Sequence, residues 1–99
     1  MIPATFQLMG RTIRVRIVPK SRWPHEQDCV GYWMPDKGEI HVIAGQDDQL
    51  TQHIFCHELT HAILDSMNHA LARDEPFVDT FSGLLQQAWT TVKPRRKRK

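Results

Sequence analysis

The chain has 99 residues, room for one compact domain and not for two. With 40% hydrophobic and 24% charged residues, its composition excludes a disordered or collagen-like chain, and no apolar run approaches the roughly 20 residues of a membrane helix. The net charge of +2 hides a segregation: residues 11–22 carry five bases and no acid, residues 23–92 carry all 11 acids against Lys37 and Arg73, and residues 93–99 carry six bases.

The opening MIPATFQLMGR lacks the apolar core of a signal peptide, so the expected compartment is the cytoplasm. Between Thr12 and Val18 apolar and basic residues alternate, with Ile13, Val15 and Ile17 on one face and Arg14 and Arg16 on the other, the period of a half-buried strand. Phe6-Gln7-Leu8, ahead of Met9-Gly10, reads as its hairpin partner. A second hairpin runs from Cys29 to Met34, turns at Pro35-Asp36-Lys37-Gly38 and returns through Glu39–Ile43. The Pro19- and Pro24-containing stretch between the hairpins is a loop. Cys29 and Cys56 make no disulfide framework and are expected as reduced, packed thiols.

From about Gln49 to Met67 there is no Gly or Pro, and Leu50, Ile54, His57, His61 and Leu64 fall at helical spacing. Asp47 or Asp48 can cap this helix, and Asn68 can stop it. A second helix starts near Asp74, another capping residue, with Pro76 tolerated in its first turn. Phe77, Val78, Phe81, Leu84, Leu85, Ala88 and Trp89 form its apolar stripe, and Pro94 ends it. Strands followed by two helices predict an α+β fold: a small N-terminal sheet of two hairpins, antiparallel or mixed, packed against two helices. One domain then covers 1–92, followed by a disordered basic tail at 93–99.

The first helix contains His57-Glu58-Leu59-Thr60-His61. Residues four apart share a helix face, so both imidazoles can reach one ion, and Glu58, one position round, meets its open side. Two neutral nitrogens suit zinc. In this composition the pattern arises by chance roughly once in a hundred such chains. A catalytic zinc takes a third protein ligand and leaves one position for water. Met67 stands where the Gly-containing metzincin extension needs its histidine. Asp65 lies a further turn along, about 5.4 Å away, and reads as a solvated helix-end acid. His69 lies past the helix end and would have to fold back. Glu75 is better placed, opening the second helix after a connection long enough to turn the chain back.

His57-Glu58-Leu59-Thr60-His61-Ala62, followed by Glu75-x-x-x-Asp79-x-Phe81, resembles the gluzincin zinc metallopeptidases, of which thermolysin is the best known. The resemblance covers residues 38–89 and extends to small phage- and prophage-encoded metallopeptidases of about this length. It implies a minimal zincin-like domain with Glu75 as third zinc ligand and Asp79 hydrogen-bonded to His57. It also implies that strand 39–43 lines the cleft, where it could pair with an extended protein or peptide substrate. The spacing of Glu75 and Asp79 agrees, because i and i+4 put both carboxylates on one helix face. The expected activity is zinc-dependent peptide hydrolysis with Glu58 as general base. Thermolysin-type enzymes draw an oxyanion-binding His or Tyr from a further subdomain, for which this sequence has no room after Asp79. That role would fall to Tyr32, His41, His53 or His69.

The tail bases Lys93, Arg95, Arg96, Lys97, Arg98 and Lys99 repel one another and can hold a phosphate backbone, so nucleic acid is a candidate partner. The alternative to a peptidase is a non-catalytic, zinc-stabilised binding module carrying this tail.

Overall fold

The computed structural model describes residues 1–96. Four strands, β1 (Thr5–Leu8), β2 (Arg11–Val18), β3 (Gly31–Met34) and β4 (Glu39–Ile43), precede two helices, α1 (Asp48–Ser66) and α2 (Glu75–Thr90), giving the expected α+β fold. Both hairpins form. Met9 and Gly10 adopt φ of +53° and +79°, the paired left-handed conformation of a tight two-residue turn. Gly38 closes the second turn at φ +64°, where its amide donates to the Met34 carbonyl at 2.9 Å.

The hairpins join in a way their sequences do not announce. The strand order is β1-β2-β4-β3, with β2 parallel to β4 and both hairpins antiparallel, so the sheet is mixed. This corrects the expectation for residues 39–43: β4 is central, paired on one side by β2 and on the other by β3, and has no free edge for a substrate. The edge beside the helical layer is β3. Gly31 on that edge lies so near α1 that a Cβ there would stand 2.6 Å from Ile54 Cγ2 and 3.1 Å from Glu58 Oε2. Only glycine fits this approach.

Ile13, Ile40, Val42 and Ile43 from the sheet form the core with Ile54, Phe55, Cys56 and Ala62 of α1. Each buried isoleucine, valine or phenylalanine among them contributes about 1.5–3 kcal/mol. Ile17 departs from the expected inward face of β2 and stands 56% exposed; α1 packs chiefly on β3 and β4 rather than on β2.

The helices stop and start where the caps dictate. The Asp47 carboxylate accepts the Leu50 amide at 2.8 Å, and Asn68 at φ +53° ends α1. There the His69 amide donates to Leu64 O and the Asn68 amide to Asp65 O, the double closure of a left-handed helix stop. Asp74 caps α2 by accepting the Phe77 amide at 3.1 Å. α2 packs on α1 rather than on the sheet. Only Val78 and Ser82 of α2 are buried, and Phe81, Leu84 and Trp89 of the expected stripe stand exposed. Among the described residues no helix is long and apolar enough to cross a membrane.

Candidate metal centre

The site lies where the middle of α1 faces the first turn of α2. His57 and His61 project side by side, their ring centroids 5.0 Å apart. The Glu75 carboxylate spans both: Oε1 is 3.2 Å from His57 Nε2, and Oε2 is 3.2 Å from His61 Nε2. The far nitrogens are also engaged. Asp79 Oδ1 lies 2.9 Å from His57 Nδ1, as the family resemblance implied, and the Ala72 carbonyl lies 2.8 Å from His61 Nδ1. A backbone carbonyl carries no residue-type signal, so the sequence offered no sign of the second contact.

These contacts test whether a metal fits. A carbonyl only accepts, so His61 Nδ1 carries the hydrogen and, in the neutral ring, Nε2 presents its lone pair to Glu75. The Asp79 carboxylate imposes the same tautomer on His57. Two lone pairs and a carboxylate, all acceptors, thus converge with their ligand atoms within 4.8 Å. Such a set is held together by a cation or by shared protons. Each imidazole Nε2 faces its own carboxylate oxygen at 3.2 Å, and one ligand atom from each of the three residues lies within reach of a single ion. His57, His61 and Glu75 could therefore hold a metal ion.

Glu58 lies on the sheet side of the same helix, 9% exposed, under β3. Burial pushes its carboxyl up to about 7; His61 and the Trp33 backbone N–H oppose the rise, and Glu75 adds to it. A carboxyl poised near neutrality can both take and return a proton.

The remaining candidates are engaged elsewhere. Asp65, exposed near the end of α1 as expected, also accepts the Trp33 indole N–H at 3.0 Å and so ties β3 to α1. His69 Nδ1 accepts the Leu71 amide, and His53 Nδ1 lies 3.1 Å from Gln86 Oε1. Tyr32 and His41 are register partners on the sheet face opposite α1, where Tyr32 stacks on His25 at 4.3 Å. Strand alternation decides this, since Gly31 and Trp33 take the α1 side. Cys29 and Cys56 are free, and burial raises both thiols above their ordinary value. Lys93, Arg95 and Arg96 are exposed beyond α2, away from regular structure, and Lys97, Arg98 and Lys99 lie outside the described residues.

Fold and site together define an α+β domain with a two-histidine, one-glutamate set able to take a metal. No known family model matches the chain, and neither does any curated protein or solved structure.

Proposed function

We propose that the protein is a zinc-dependent metallopeptidase of the gluzincin type, with His57, His61 and Glu75 as ligands and Glu58 as general base. The observation that carries this reading is the carboxylate of Glu75 across both Nε2 atoms, with a buried carboxyl, Glu58, on the neighbouring helix position. A purely structural metal site needs no such second carboxyl. Zinc, when bound, would polarise the scissile carbonyl and acidify a water. Glu58 takes the proton of the attacking water and delivers it to the leaving amine. Asp79 and the Ala72 carbonyl fix the tautomer and the aim of the imidazoles. The free edge of β3 offers backbone donors and acceptors to an extended peptide beside Glu58.

The test is Glu58→Gln, nearly isosteric and unable to shuttle a proton. Zinc content and fold should persist, while cleavage in a proteome-wide peptide assay falls by at least about 10²–10⁴-fold. A second reading, a zinc-stabilised binding module, is favoured by the engagement of Tyr32, His41, His53 and His69 away from the oxyanion position. On that reading Glu58→Gln changes neither partner binding nor biological effect, and zinc retained with function intact would overturn the peptidase.

A further inference from the structure

The outer face of the sheet, opposite α1, brings bases and an aromatic ring together. Strand alternation puts Arg14 and Arg16 of β2 on it, and the register sets Arg16, His41 and Tyr32 in one row across three strands. Arg14 and Arg16 are exposed, Tyr32 is 46% exposed, and His25 stacks on the Tyr32 ring at 4.3 Å. β2 is flanked by β1 and β4, so its arginines do not shield a sheet edge, the common use of charge on a strand. The next bases in the chain, Lys20 and Arg22, are exposed in the turn that leads from β2 towards His25. Glu39 is the only acid of the four strands; its side chain is 15% exposed and already paired with Arg16 and His41. The other acids lie in loops and helices, and of these Glu26 and Asp28 act on the Cys29 thiol together with Glu58, on the α1 side. The sheet thus stands between the bases of β2 and the acids of α1 and α2.

We propose that this face binds single-stranded nucleic acid, with Arg14 and Arg16 against phosphates and Tyr32 under an unpaired base. The exposed arginines select a polyanion, and the ring in their midst selects one whose bases are free to stack. A duplex keeps its bases stacked inside, and its grooves admit a helix or a two-stranded ribbon, not a sheet of four strands. The basic tail can add phosphate contacts and most of the charge, but residues 93–99 contain no aromatic ring, so stacking falls to the sheet. The surface lies across the sheet from the candidate metal centre and is independent of any metal.

The probe is a fluorescein-labelled oligothymidine of about 15 nucleotides, titrated into the full chain at low salt. Tyr32→Ala should weaken its binding about 5- to 100-fold while leaving the affinity for a duplex of the same length unchanged, and Tyr32→Phe should bind like the wild type. Arg14→Ala, at an exposed position that leaves the His25–Tyr32 stack in place, should weaken binding and lower the salt slope by about 0.7. A probe carrying 5-iodouracil should photo-cross-link to Tyr32. A full chain that does not bind the oligothymidine overturns the proposal. So do Tyr32→Ala and Arg14→Ala variants that bind it like the wild type, a Tyr32→Ala loss equal for duplex and single strand, or cross-links confined to residues 93–99. Displacement of the probe by polyglutamate at equal charge would assign the face to an acidic protein instead and overturn it as well.

Discussion

Each imidazole of the candidate centre is held at both nitrogens, and the two partners of each ring should respond differently to substitution. Glu75→Ala removes a proposed ligand and should lower zinc affinity severely. Asp79→Asn removes only the carboxylate that aims His57, so zinc should still bind, about 10–100-fold more weakly by competition titration. Equal losses in the two variants would mean that Asp79 does more than orient the ring. Gly31 offers a test of the approach between β3 and α1. Gly31→Ala would force a methyl to within 2.6 Å of Ile54 Cγ2 and should cost about 1–3 kcal/mol in urea denaturation. A neutral effect would mean that β3 can lift from the helix without cost. The motif residues were legible because a helix repeats every 3.6 residues and so aligns His57 with His61. Ala72 and Trp33 were not, since the first acts through its carbonyl and the second through a partner, Asp65, 32 positions away.

The loop between β2 and β3 is tied to the sheet by a chain of side chains. His25 Nε2 lies 2.9 Å from His41 Nδ1, His41 Nε2 lies 3.0 Å from Glu39 Oε1, and Arg16 approaches the same oxygen at 3.4 Å. Glu39 is held below the usual carboxylate range, first by its hydrogen bond to His41. The groups facing His25 are His41 on β4, Tyr32 on β3 and Trp23 in the loop. Burial, and then the charge of His41, lower the His25 pKa beneath its ordinary 6.5. The folded protein thus refuses a proton that the unfolded chain accepts, and stability is lost as the pH falls through 6.5 towards the lower folded value. His25→Gln, uncharged throughout, should lose less stability than the wild type between about pH 7.5 and pH 5.5. Parallel stability curves for the two proteins would show that this latch does not sense pH. Since the loop leads directly into β3, its opening would also free the strand beside Glu58.

A chain of this size has a modest core, so a bound ion would stabilise the molecule as a whole. Chelation should lower the melting temperature by more than about 10 °C in a scan of the zinc-loaded protein. An unchanged melting temperature would mean that no ion is bound or that the fold does not depend on it. The basic tail is separable from this. Deleting residues 93–99 removes six positive charges, so any nucleic-acid binding at low salt should collapse while metal content stays unchanged. Equal binding by the truncated and full-length chains would exclude the tail as an anchor.

Local signals carried most of the elements. Alternation marked β2, Met9-Gly10 and Gly38 marked the turns, and Asp47, Asn68 and Asp74 marked the helix ends, because each acts through backbone groups a few residues away. The two histidines and Glu58 could be read on the same ground. Three features depended on packing between distant segments. The parallel union of β2 and β4 placed β3, not β4, at the edge, and strand alternation then sent Tyr32 and His41 to the far face. The stacking of α2 on α1 alone left its apolar stripe uncovered. Hydrophobic periodicity says which face of an element is apolar, but the element that covers that face is chosen by long-range pairing, which leaves no local mark in the chain.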